Sequence, residues 1–276
     1  MSLSHFCFDP HTPDEYLNEK DFLSYVKDGN LSSVKGLVER GAVNLPIVPA
    51  LQHASKYSDI SMVEYLIAVG ADVGATDGEG STLLHLSASV GNMSNVKYVY
   101  EVGGEMIDVN AINNNGESPL SLAARNGHIS VVQFLIEKGA SVDIVVNDNG
   151  NNLLIDALLK GNVDLANLFI ISGANTNARD TSDDIPALTI AVKSGLLETT
   201  KLLLDYGADV ESLGPLGETA LFSAARDENL DIMRMLLDNG AKADQSNTEG
   251  LLPREVTNDK IIKTVLGKTR VCTCIG

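Results

Sequence analysis

Few side chains in this 276-residue chain could do chemistry on their own, so the first question is whether any of them converge. His5, Cys7 and His11 offer nitrogen and sulfur donors of the kind that bind zinc. A zinc site, however, needs three or four ligands held by a fold. A C-x3-H spacing in a stretch with no other pattern does not specify one. His53, His85 and His128 are scattered, and His53 reads as an outward-facing surface residue. No serine or cysteine stands in a nucleophile elbow, and the chain holds no phosphate-cradling glycine loop and no zinc-protease helix. The 37 acidic residues are spread along the chain, and no pair of them can be singled out as catalytic. The expectation is a non-enzyme with no catalytic residues, no metal and no cofactor.

Charge narrows the partners. The net charge is −17. Such a surface repels phosphate, which argues against direct nucleic-acid binding and against charge-driven attachment to an anionic membrane. It favours solubility and a basic partner. The three cysteines, Cys7, Cys272 and Cys274, sit near the two ends, so they do not form a disulfide framework. A reducing, cytoplasmic setting is expected. No apolar run is long enough to span a bilayer, and the first residues do not read as a secretory signal. A prenylation box would need cysteine where Thr273 stands.

The elements that must position any functional residue come from an internal repeat. Gly41, Gly70, Gly103, Gly139, Gly173, Gly207 and Gly240 each follow an amphipathic stretch, at spacings of 29, 33, 36, 34, 34 and 33. Twelve residues before each stands Gly29, Ser58, Gly91, Gly127, Gly161, Gly195 or Glu228. Seven residues earlier still stands Phe22, Leu51, Leu84, Leu120, Leu154, Leu188 or Leu221. Two fixed offsets held through seven copies define one supersecondary module.

The fourth copy shows its physics. In SPLSLAARN, Pro119 is tolerated in the first turn of a helix because its missing N–H had no partner there. Ala123 and Ala124 let a neighbouring helix approach. Gly127 supplies a left-handed stop. HISVVQFLIEK then places Val131, Val132, Leu135 and Ile136 on one helical face, and Gly139 ends that helix. A turn-rich link leads to the next copy. Such a unit cannot bury its apolar faces alone and must stack on its neighbours.

The segments GESPLSLAARNGHISVVQFLIEKGASVD, TLLHLSASVGN and LLLDYGADV resemble the ankyrin repeat, over about Asn18 to Leu266. The resemblance implies an all-α solenoid of helix-turn-helix units linked by β-hairpin-like loops. It also implies that first helices and hairpins form a concave partner-binding face, and that His85 and His128 are structural. The expected organisation is an N-terminal arm over 1–17, one repeat domain over 18–266 with about seven repeats and a C-terminal cap, and a tail over 267–276. Asn18–Arg40 reads as the N-terminal cap. Three departures stand out. The link Ala42–Pro49 is short and holds two prolines, so its hairpin should be truncated. About three extra residues near Glu105–Ile107 should make a bulge. Asp184 replaces the usual hairpin glycine.

The expected function is a non-catalytic scaffold, acting as a monomer, that binds a protein partner. The alternative is a regulatory or inhibitory subunit of an enzyme or a transcription factor, or a microbial effector acting in a host cell. A basic residue near the end of the first helix recurs as Lys27, Lys56, Arg125, Lys160, Lys193, Arg226 and Lys260, which stacking would align as a column. Hairpin tips carry acid at Asp77, Glu79, Asp148, Asp183, Asp184, Glu218 and Glu249. Tyr57, Leu159, Phe222 and Leu216 are the apolar candidates for partner anchors, since exposed aromatic and aliphatic groups often dominate binding energy.

Overall fold

A computed structural model of the chain describes residues 19–40, 45–57, 59–144 and 150–268. His5, Cys7, His11, Asp148, Cys272 and Cys274 lie outside the described residues. Among the described residues the fold is helical, with no β-strand. Helices come in pairs: α1 (Glu19–Lys27) with α2 (Leu31–Glu39), α3 (Ile47–Tyr57) with α4 (Ile60–Ala68), and α5 (Leu83–Ser89) with α6 (Met93–Gly103). There follow α7 (Pro119–Arg125) with α8 (Ile129–Glu137), α9 (Leu153–Leu159) with α10 (Val163–Ile171), α11 (Ala187–Lys193) with α12 (Leu197–Asp205), and α13 (Ala220–Arg226) with α14 (Leu230–Asp238). A final helix, α15, spans Lys260–Lys268.

The joint within each pair explains the second sequence anchor. Gly91 has φ +72°, a left-handed conformation in which a side chain is disfavoured. The chain then enters α6 through Asn92, whose side chain accepts from the Asn95 N–H and satisfies one orphan donor of the new helix. Asn30, Asn162 and Asn229 cap α2, α10 and α14 in the same way. Glu228 holds the left-handed position at φ +55° without being glycine. Its carboxylate accepts from Thr257 Oγ1 and the Asn258 N–H, both at 3.3 Å, which ties the last segment down.

The third anchor is core. Phe22, Leu51, Leu84, Leu120, Leu154, Leu188 and Leu221 are all buried. Burying such side chains stabilises by about 1.5–3 kcal/mol each. The chain divides into two compact units, Met1–Asn115 and Gly116–Gly276. Within the first, α3 packs between α1 and α5, and α4 packs on α6. Within the second, α11 packs between α9 and α13, and α12 between α10 and α14. Phe169 and Phe222 fill the core of this second unit.

The links depart from expectation in instructive ways. The first is shorter than the sequence suggests, because α3 starts at Ile47 and absorbs Pro49 into its opening turn. Proline is tolerated there because that N–H has no partner within the helix. In the third pair, α6 runs through Gly103, and Gly104 takes the positive φ instead. The extra residues form a 3₁₀ turn over Gly104–Met106. A Cβ on Gly103 would sit 2.2 Å from Ile107, so the glycine is required for the bulge to fold back. Two links carry isolated antiparallel bridges, Thr76 to Thr82 and Arg179 to Pro186. In the second of these Asp184 adopts φ +55°, and the Arg179 guanidinium holds its carboxylate at 2.6 Å.

Candidate partner-binding surface

The first helices are only seven residues long because Thr82, Ser118 and Asn152 cap their N-termini and left-handed residues stand nine residues after those caps. Their C-terminal halves carry the basic residues singled out above. In the second unit the Arg226 guanidinium donates to Glu218 Oε1 at 2.6 Å, reaching back over the length of α13. Arg125 does the same to Glu117 across α7. Lys160 pairs with Asp156 one helical turn earlier, at 2.9 Å.

Basic groups and acidic link residues are therefore not segregated into a column and a rim. Glu218 is not an exposed tip: it is almost buried, and it also accepts from Asn247 Nδ2 of the next link at 3.2 Å. Burial alone would raise its pKa. The hydrogen bonds from Arg226 and Asn247, with the charges of Arg226 and Lys193, outweigh burial and hold it below the ordinary carboxylate value. Lys160 falls one residue later than the other basic residues relative to its glycine, so Leu159 takes the equivalent place. Lys260 does not end a first helix; it begins α15.

In the first unit the equivalent residues are Lys27 and Lys56. Neither has a carboxylate within ion-pair distance among the described residues. Lys56 Nζ instead lies 5.2 Å from the centre of the Tyr57 ring. That ring lies 5.0 Å from the His53 ring. His53 is half-buried rather than outward-facing, and its Nδ1 is buried without a hydrogen-bond partner. Burial, then the charges of Lys27 and Lys56, hold its pKa below the ordinary histidine value.

The apolar candidates divide. Tyr57 at 63%, Leu159 at 53% and Leu216 at 57% are exposed. Phe222 is fully buried and cannot contact a partner. It follows anchor Leu221 directly, and the equivalent residues His85, Ser121, Ile155 and Thr189 are buried too. His85 serves the fold as expected: with Thr82 it forms a capping box at the start of α5. His128 stands at the N-cap of α8 and makes no cap hydrogen bond there.

Leu216 is held unusually. Its φ is +61°, a conformation that costs a non-glycine residue about 1–2 kcal/mol. Its carbonyl accepts from both the N–H and the hydroxyl of Thr248 at 2.9 Å, which fixes the link that presents it. Leu213 on the same link and Leu251 on the next are also exposed. Of the acidic candidates, Glu79 and Asp183 are exposed, with Glu79 accepting from Asn115 Nδ2.

Sequence reasoning missed a cleft of about 260 Å³ in the second unit. Its walls include Arg125, Asn126, Asp156 and Lys160, and its floor Ala157, Leu165 and Phe169. That is smaller than the 300–1,000 Å³ of sites for small-molecule ligands. Among the described residues no three His, Cys, Asp or Glu side chains gather as a metal would require. No described helix is long and apolar enough to cross a membrane.

Comparison with known proteins agrees with this architecture. The family profile described as "Ankyrin repeats (3 copies)" matches residues 51–148, 99–180 and 153–247. Protein phosphatase 1 regulatory subunit 27 of Homo sapiens is 36% identical over 104 residues, covering 38% of this chain and 68% of that protein. Ankyrin repeat protein R664 of Acanthamoeba polyphaga mimivirus is 38% identical over 96 residues, covering 32% of this chain and 59% of that one. The human ASB11 ankyrin repeat domain superimposes with a TM-score of 0.56 at 23% identity, covering 81% of this chain and 96% of that domain. That likeness is one of fold. With the repeat offsets, buried anchors and capped helix pairs already in place, the profile match settles the family: the chain belongs to the ankyrin-repeat proteins.

Proposed function

We propose that this chain is a non-catalytic scaffold that binds a protein partner through its first helices and link tips, within a single repeat domain over 18–266. Ankyrin repeats are general protein-interaction modules, and the presentation of Leu216 carries the assignment here. A leucine more than half exposed, in a left-handed conformation and clamped by Thr248, contributes nothing obvious to stability. Strain kept at an exposed position points to use in binding. Tyr57, Lys56 and Glu79 on the first unit, and Arg125, Leu159, Lys160, Lys193, Arg226 and Asp183 on the second, are the further proposed contacts.

Leu216→Asn separates binding from folding. Asparagine tolerates the left-handed conformation, so the variant is expected to melt no lower than wild type, with a gain of up to about 1 kcal/mol. Partners captured from the native cell should fall several-fold, as quantified by mass spectrometry. Recovery of the same proteins at wild-type levels would sink the assignment of Leu216.

The human relative's name supports a second reading. That protein is a regulatory subunit of protein phosphatase 1, so this chain would bind and regulate a phosphatase. Co-elution of the purified chain with the catalytic subunit of protein phosphatase 1 on size exclusion tests it, and separate elution removes it.

A further inference from the structure

We infer that Lys27, His53, Lys56 and Tyr57 form a docking site for an acidic segment of a protein partner, one that offers two or more carboxylates beside an apolar or aromatic side chain. The inference deepens the scaffold reading and rests on it.

The chain as a whole is strongly acidic, so basic groups without an ion pair among the described residues are the exception to explain. Lys27 and Lys56 end neighbouring, packed first helices and occupy the same repeat position. Both charges act on His53, whose ring lies 5.0 Å from that of Tyr57 beside Lys56. Two of the described acids close by in sequence bond within their own segment. Asp28 accepts from Ser24 Oγ, and Asp59 caps α4 by accepting from the Ser61 N–H. On the other side of α3, helix α5 brings Ser89 to the equivalent position and adds no charge.

In the second unit, Arg125, Lys160 and Arg226 are each neutralised by a carboxylate of their own repeat. For Arg125 and Arg226 the difference follows from link length. Glu117 and Glu218 both sit at the end of a full-length link, directly before a first helix. Before α3 the link spans only residues 40–46, and Val48, already inside the helix, stands eight residues before Lys56. Lys56 therefore lacks the intramolecular acid that Arg125 and Arg226 have.

A lysine in the last turn of a helix also favours the helix dipole, worth about 0.3–1 kcal/mol. That role does not account for the exposed Tyr57 ring under the Lys56 ammonium. An acidic segment would place carboxylates on the two ammonium groups and an apolar side chain on the Tyr57 ring, with His53 sensing the added charge. A long polyanion such as RNA would meet the surrounding negative surface, whereas a short acidic segment need not.

The test uses the full chain and a fluorescein-labelled peptide of six glutamates and one tyrosine, with six glutamines as the control. In anisotropy titrations the glutamate peptide should bind at least tenfold more tightly than the control at low salt, and lose about that factor by 0.3 M salt. Lys27→Glu and Lys56→Glu should each weaken it about tenfold, whereas Lys201→Glu, which changes net charge equally, should leave it within twofold. Circular dichroism melts check that the variants fold. The His53 ring proton, followed by NMR, should titrate at higher pH when the peptide is bound. Equal binding of the two peptides, equal loss in Lys201→Glu, or an unmoved His53 titration each overturn the site. Any of these leaves the Leu216 test in the second unit standing, so the two failures can be told apart.

Discussion

Lys56 and Arg226 hold the same place in their helix pairs, two residues before the joint, yet they have opposite surroundings. Arg226 reaches back along α13 to Glu218, which a full-length link delivers to the start of that helix. Lys56 has a seven-residue link before its helix, no acid eight residues back, and a tyrosine ring as its neighbour. The same contrast shows one layer deeper. The residue after the leucine anchor is buried where a long link precedes it, as in His85, Ile155 and Phe222, and only half-buried at Leu23 and Gln52. Link length thus bears on how well the first helix is covered, while neutralisation of its terminal charge also depends on which residue the link or helix supplies: Asp156 inside α9 pairs with Lys160, and Lys193 has Ile185 eight residues back.

The largest expected effect tests the covered side. Phe222→Ala removes a fully buried ring and should cost about 3–5 kcal/mol of stability. Tyr57→Ala removes an exposed ring near the end of α3 and should change stability by less than about 0.5 kcal/mol. Urea midpoints of the two variants measure the difference. Comparable losses would mean that Tyr57 is a packing residue and that the contrast between the regions is wrong.

That pair of aromatic residues also shows what the sequence makes legible. Seven helix pairs, their joints and their anchors could be read from periodicity, because a left-handed stop and a buried leucine each demand a narrow set of residues at a fixed offset. Phe222 and Tyr57 both looked like exposed aromatic groups on a first helix. The cue that separates them was present: Ile155 holds the position equivalent to Phe222, while Asn126, Lys160 and Asp227 hold the one equivalent to Tyr57. The ion pairs were harder to read. Arg125–Glu117 and Arg226–Glu218 join residues eight apart across a helix, a distance set by how the link folds back and not by helical periodicity. The hydrogen bonds that clamp Leu216 join residues 32 apart and have no sequence signature at all.

A smaller effect tests the neutralised charge. Glu218→Gln keeps the shape but loses the ion pair with Arg226, which is itself half exposed. The expected loss is about 1 kcal/mol at pH 7. The sign with pH follows from the direction of the shift. The folded protein holds Glu218 below the ordinary carboxylate pKa, so its charge stabilises above the unfolded value, and that contribution fades as pH falls through the folded one. Urea midpoints of wild type and Glu218→Gln should therefore differ at pH 7 and converge below about pH 4. A gap that persists in acid would mean that packing, and not charge, makes the link.

The smallest effect on stability would convert one region into the other. Gln52 stands four residues before Lys56, the offset at which Asp156 neutralises Lys160. Gln52→Glu should supply the acid that the short link fails to deliver. An i,i+4 pair of this kind is worth about 0.2–0.5 kcal/mol, so the melting temperature should barely move. Affinity for the glutamate peptide should nevertheless fall several-fold, because the new carboxylate occupies the lysine that the peptide needs. Unchanged affinity in a variant whose Lys56 is demonstrably paired would show that the missing intramolecular acid is not what opens this surface to a partner.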